Sequence, residues 1–145
     1  MNKLNERMNV YLANQQVMYI KLHNMHWYIK GKSFFTLHAK LEELYDETAE
    51  VIDAVAERIL ALGGNPVASL KKALELTAVK ELSDEAISSE HVVKALLRDV
   101  EYWINDTKEI VALAEEKGDG VTADQFNNYL GHYQKLQWML NSYLG

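Results

Sequence analysis

The 145-residue chain is 48% hydrophobic and 25% charged, proportions that exclude disorder and predict one globular domain over residues 1–145. Cysteine is absent, which excludes a disulfide scaffold, a thiolate metal site and a cysteine nucleophile. Fifteen Lys and Arg against 21 Asp and Glu leave a net charge of −6, which opposes a bulk grip on nucleic acid and suits cationic partners.

Glycine and proline are sparse, and they cut the chain into long stretches at Gly31, Gly63-Gly64 with Pro66, Gly118, Gly120 and Gly145. Long stretches free of both residues predict helices. The first helix, about Leu4 to Ile29, carries Leu4, Met8, Tyr11, Leu12, Met18, Leu22 and Met25 at spacings of three and four. The second, about Ser33 to Leu62, repeats the pattern with Leu37, Leu41, Leu44, Ile52, Val55 and Ile59. A short helix around Leu70 to Leu76 falls in a crossover. The third long helix holds Val92, Val93, Leu96, Val100, Trp103, Ile104 and Ile110, with Ser83, Ser88 and Ser89 as alternative N-caps. The fourth opens on Thr122-Ala123-Asp124-Gln125, which reads as a capping box. Gly131 interrupts an otherwise helical pattern. No strand-like alternation competes, and no apolar run approaches the roughly 18 residues of a membrane span. The expected fold is all-α: a ferritin-like four-helix bundle with a short extra helix between the second and third helices.

The second helix has three faces rather than two. With His38 at zero and steps of about 100°, His38, Glu42, Asp53 and Glu57 fall near 0°, 40°, 60° and 100°, away from the apolar stripe near 270°. A third face carries Lys40, Glu43, Glu47, Glu50 and Arg58. His38 with Glu42, and Asp53 with Glu57, are i,i+4 pairs, each able to present two side chains to one ion. Imidazole with carboxylates suits iron, manganese or zinc. Yet His38 and Asp53 lie about 22 Å apart along one helix axis and cannot share an ion within one chain.

Two copies of the helix can share one. If they run antiparallel about a two-fold axis between Glu47 and Thr48, facing residue numbers add up to 95, so His38 meets Glu57 and Glu42 meets Asp53. One choice of axis satisfies both pairs and generates two equivalent sites, as an isologous interface requires. Ala49 and Ala56 share the face and let the backbones approach. His26, near the end of the first helix, can reach His38 across the short loop at Gly31.

The run His23-Asn24-Met25-His26-Trp27-Tyr28-Ile29-Lys30-Gly31, then Phe34-Phe35-Thr36-Leu37-His38, together with Asp53, Ala56-Glu57-Arg58 and Leu62-Gly63-Gly64, resembles the Dps family of mini-ferritins. The likeness extends to Gly118-Asp119, Thr122-Ala123-Asp124 and Trp138-Met139-Leu140. It implies a cytoplasmic dodecameric shell built from two-fold dimers. At each dimer interface a ferroxidase site oxidises Fe²⁺ to Fe³⁺ with hydrogen peroxide, or more slowly with O₂, and ferric mineral is stored inside. Carried over by motif, His26, His38 and Glu42 come from one subunit, Asp53 and Glu57 from its mate, and Zn²⁺ is an alternative occupant. Glu42 stands where the family usually has aspartate, one methylene shorter. Trp27 beside the motif is implied to quench oxidising equivalents or to pack. Glu43, Glu47 and Glu50 are implied to nucleate mineral, and Asp119 and Asp124 to line an acidic three-fold pore in which Asn128 replaces a further acid.

Two rival readings differ in class. An in-bundle di-iron oxidase takes Glu-x-x-His motifs, and no His here has Glu three residues before it. A non-enzymatic, DNA-binding shell protein needs a basic arm, whereas helical periodicity begins by Leu4 with only Lys3 and Arg7 nearby. Lys71, Lys72 and Lys80 form a modest basic cluster in the crossover. The expectation is weak or absent DNA binding and no membrane partner. His23, His91 and His132 carry no assigned role.

Overall fold

A computed structural model of the protein describes residues 2–145. Seven elements follow one another: α1 (Lys3–Tyr28), β1 (Ile29–Lys30), α2 (Phe34–Ala61), α3 (Leu70–Leu76), β2 (Ile87–Ser88), α4 (Ser89–Glu116) and α5 (Gly120–Leu144). Each long helix ends at a Gly-containing turn or at the start of the crossover, where the breaker residues lead one to expect it. Among the described residues, no helix is long and apolar enough to cross a membrane.

The chain divides into two compact units, Asn5–Val92 and Val93–Gly145, the latter with Asn2–Leu4. In the first, α1 buries Met8, Tyr11, Leu12 and Met25, and α2 buries Leu37, Leu41, Leu44, Val55 and Ile59. Each fully buried leucine or isoleucine contributes on the order of 2 kcal/mol. Glycines close α2: Gly63 takes a positive φ of 85°, and Gly64 passes so near that a Cβ would lie 2.9 Å from Asn5 Nδ2 and 3.0 Å from Ile59 Cγ2.

The crossover from Leu62 to Ser88 is held by amides of α1. Asn9 Nδ2 donates to Asn65 O (3.1 Å), and Asn9 Oδ1 accepts from Val67 N (2.9 Å). Gln16 Nε2 donates to Val67 O (2.9 Å), and Asn24 Nδ2 to Ser83 O (3.1 Å). Fully buried Asn14 accepts from Thr77 Oγ1 and Ala78 N, both at 2.7 Å. These bonds satisfy a long irregular segment that lacks ladder partners. The crossover ends in two short strands absent from the sequence reading, paired in parallel with Ile29 opposite Ile87 and Lys30 opposite Ser88. Of the three serines considered for the cap of α4, Ser88 is the one whose hydroxyl accepts from His91 N (3.2 Å).

In the second unit, Trp103, Ile110 and Phe126 are buried, and Trp103 stacks on Tyr133 with ring centroids 5.7 Å apart. The start of α5 corrects the sequence reading. Its N-cap is Asp119, whose carboxylate accepts from Thr122 N (3.1 Å) and from the Thr122 hydroxyl. Thr122 is therefore the third residue of the helix rather than its cap, and it is fully buried. A carboxylate on the residue before Gly120 reaches both donors at once and displaces the threonine from the capping position.

Candidate metal centre

His26 lies in the last turn of α1 and His38 in the second turn of α2, joined by the short β1 and Gly31 turn. Gly31 takes a φ of 121°, and its carbonyl accepts from Phe34 N (3.1 Å), which reverses the chain quickly enough to bring the two imidazoles together. Their rings stack at 3.6 Å with an interplanar angle of 13°.

The hydrogen bonds between them are reciprocal. His26 Nδ1 donates to His38 O (2.7 Å), and His38 Nδ1 donates to His26 O (2.8 Å). A carbonyl oxygen only accepts, so each Nδ1 carries a proton. Both rings are thereby oriented, and each Nε2 is left as the nitrogen available to a metal. The His26 carbonyl is free to accept because carbonyls in the last turn of a helix lack an intrahelical partner.

Glu42, one turn beyond His38, places Oε1 3.9 Å from His26 Nε2. A carboxylate oxygen facing the second nitrogen of such a ring leaves a gap that a proton or a cation closes. His26 is 7% exposed at its side chain and Glu42 is 56% exposed, so the imidazole backs the site and the carboxylate fronts it. Phe34 stacks on the far face of His38 (4.8 Å, 21°), and Tyr45 meets His26 edge-on (5.3 Å, 90°). Partial desolvation, then the carboxylates of Glu42 and Asp46 and the Tyr19 phenol, raise the Tyr45 phenol above its ordinary range.

Asp53 and Glu57 are both exposed on α2, three to four turns beyond Glu42. Among the described residues, no three His, Asp or Glu side chains converge to hold an ion within one chain. His26, His38 and Glu42 lie together, and Asp53 and Glu57 lie one turn apart further along the same helix.

Around this centre, Trp27 is 68% exposed and lines a cleft of about 230 Å³ with Ile20, Asn24, Glu81 and Asp84. His23, left unassigned in the sequence, ties Trp27 to the site: it stacks on Tyr45 at 3.8 Å and lies 5.3 Å from the Trp27 ring. Its Nδ1 donates to Tyr19 O (2.7 Å). The acidic face of α2 is uneven. Glu43 and Glu50 are exposed, Glu47 is half-buried, and Lys40 lies 3.5 Å from Glu43. Asp119 is engaged as the cap of α5, while Asp124 and Asn128 are exposed on its first turns.

Comparison with known proteins gives one family. The ferritin-like domain matches residues 3–145. General stress protein 20U of Bacillus subtilis is 46% identical over 143 residues, spanning 99% of this chain and 98% of that protein. Dps from Staphylococcus aureus superposes with a TM-score of 0.94 at 42% identity, covering 98% of this chain and 95% of that one. Dps from Vibrio cholerae O1, described as a member of a broad superfamily of ferritin-like diiron-carboxylate proteins, gives 0.94 at 37% identity, with coverages of 99% and 89%.

Proposed function

The chain belongs to the ferritin-like domain family, in its Dps branch, with the ferritin-like all-α fold, and from that premise we propose that it is an iron-storing, iron-detoxifying mini-ferritin. Its substrate is Fe²⁺, bound between two-fold-related subunits and oxidised by hydrogen peroxide. Twelve subunits assemble into a cytoplasmic shell that stores the ferric product.

The observation that carries this reading is the His26–His38 pair, with each Nδ1 held by the other's carbonyl, which leaves each Nε2 as the nitrogen a metal would take. Two imidazoles and Glu42, completed by Asp53 and Glu57 of the partner subunit, make a nitrogen-and-carboxylate donor set suited to iron. The carboxylates stabilise Fe³⁺ more than Fe²⁺, which favours loss of the electron. Two Fe²⁺ give up one electron each, and one peroxide takes both with two protons to become two waters, so no hydroxyl radical is released. The stack from Trp27 through His23 to Tyr45 lies within reach of any one-electron oxidant that escapes, and this supports a quenching role for Trp27. Zn²⁺ accepts the same ligands and acts as a competitor.

Exposed Asp124 is assigned to an entry pore and exposed Glu43 and Glu50 to mineral nucleation. Glu47, half-buried, and Asp119, engaged as a cap, are weaker contributors to those roles. Stopped-flow mixing of anaerobic Fe²⁺-loaded protein with peroxide tests the reaction. Consumption of about two Fe²⁺ per peroxide, with little spin-trapped radical, is expected from the electron balance. A ratio far from this, or abundant radical, overturns it.

A further inference from the structure

The two-fold pairing of α2 has a consequence beyond the metal ligands. Phe35 is 84% exposed and Leu60 is 57% exposed, both on the helix that carries the half-sites. Their residue numbers add up to 95, the same sum that pairs His38 with Glu57 and Glu42 with Asp53. On the wheel they fall near 60° and 40°, on the centre line of the ligand-bearing face. One register thus sets apolar against apolar, histidine against acid and Ala39 against Ala56. It also sets Glu42 against Asp53, an acid pair that requires a cation between its members. A solvated helix face has no reason to match its residues in this way.

The sizes are graded as the geometry requires. Phe35 and Leu60 lie roughly 19 Å from the axis. Two helices crossing at about 20° are displaced sideways by roughly 6 Å at that distance, so axes about 9 Å apart at the crossing are about 11 Å apart there. Ala49 sits beside the axis, and the long side chains of Phe35 and Leu60 stand where the gap is widest.

We propose that Phe35 packs against Leu60 of the partner subunit at both ends of the seam, an apolar closure one turn beyond His38 that holds the half-sites in register. The contact reaches the ligands through a column of rings. Phe35 meets Phe34 edge-on at 5.6 Å, Phe34 stacks on His38 at 4.8 Å, and His38 stacks on His26 at 3.6 Å. Phe35 and Leu60 are positioning residues: they touch no metal, exclude water from one side of the site, and keep Phe34 pressed against His38.

The proposal rests on the two-fold reading above, and cross-linking separates the two. The chain has no cysteine, so introduced thiols report without background. Ala49→Cys, close to the axis, is expected to link to its own copy with a short bismaleimide. The double variant Phe35→Cys/Leu60→Cys is expected to link between chains, with neither single variant doing so, because within one chain the positions lie roughly 37 Å apart. Linkage at position 49 without linkage between 35 and 60 overturns the closure and leaves the pairing intact. Linkage at neither overturns both. In sedimentation, Phe35→Ala is expected to weaken the dimer about tenfold or more. The exchange Phe35→Leu/Leu60→Phe is expected to restore most of that loss, and an exchanged variant as weak as the alanine variant overturns the proposal.

Discussion

His26 and His38 each donate Nδ1–H to the other's backbone carbonyl, at 2.7 and 2.8 Å, so neither ring can turn without breaking its own hydrogen bond and the stack between the rings. This mutual lock fixes the tautomer without a carboxylate on either Nδ1 and makes each histidine the orienting partner of the other. Replacing either by Gln should therefore cost more than one ligand. We expect Fe²⁺ or Co²⁺ affinity to fall by about 10- to 100-fold or more in either variant, with helix content unchanged by circular dichroism. The double variant should be little worse than the singles, because the pair acts as a unit. Additive losses in calorimetric titration would show that the lock does not operate.

Glu42 fronts the centre with its carboxylate 3.9 Å from His26 Nε2. Glu42→Gln keeps the length and removes the charge, and should lower metal affinity about 10-fold or more. Glu42→Asp keeps the charge and should retain ferroxidase turnover with an altered affinity for the second iron. Calorimetry with Co²⁺ reads both, and equal behaviour of the two variants counts against a ligand role.

Tyr129 gives a stability test in the second unit. Burial raises its phenol above the ordinary value of 10.0, and the hydrogen bond from Gln125 Nε2 (2.8 Å) partly offsets the rise. The folded state therefore holds this proton more tightly than the unfolded chain. The associated stability is fully present below pH 10.0 and is lost as pH rises through the folded value. Urea unfolding below and above that pH should show a steeper alkaline loss in the natural chain than in Tyr129→Phe. Identical slopes would remove Tyr129 from the account.

The helices were legible because breakers mark their ends, and the observed limits of α1, α2 and α3 fall within about one residue of the apolar periodicity. The faces that carry His38 with Glu42 and Asp53 with Glu57 were legible because i,i+4 spacing fixes a face whatever the surroundings. The His26–His38 lock was not, since it uses a backbone carbonyl freed by the end of α1, and side-chain patterns carry no record of main-chain acceptors. The amide clasp of Asn9, Asn14, Gln16 and Asn24 was hidden for a related reason. On a helix wheel such residues read as a solvent face, and only the path of the crossover gives them carbonyls and amides to meet. Thr122 misled because Asp119, three residues earlier, competes for the same cap and wins with a charge.

DNA binding gives a prediction of absence. The chain's net charge is −6, and in the basic cluster of the crossover Lys72 lies 3.7 Å from Glu75, so part of the positive charge is already neutralised. Assembly multiplies the repulsion toward phosphate. We expect no plasmid retention in a gel shift at about 150 mM salt, where the counterion-release term is already small. A retained band at that salt would show that a local basic surface outweighs the net charge.

Asp119 and Asp124 separate an acid that caps a helix from one assigned to the proposed entry pore. Asp119 holds the first turn of α5 through Thr122 N and the Thr122 hydroxyl, and Asp124 is exposed on the same helix. Asp119→Ala should destabilise the protein by about 1 kcal/mol, the usual cost of a lost N-cap. That corresponds to a fall in Tm of about 3 °C for a chain of this size. Asp124→Ala should leave Tm unchanged and slow Fe²⁺ uptake by intact shells, because a carboxylate at an entry pore concentrates the cation before it reaches the site. If Asp119→Ala slows uptake with no loss of stability, the cap is incidental and the pore is its main role. If Asp124→Ala leaves uptake as fast as before, iron enters elsewhere, and the dimer seam beside Glu42 becomes the route to test.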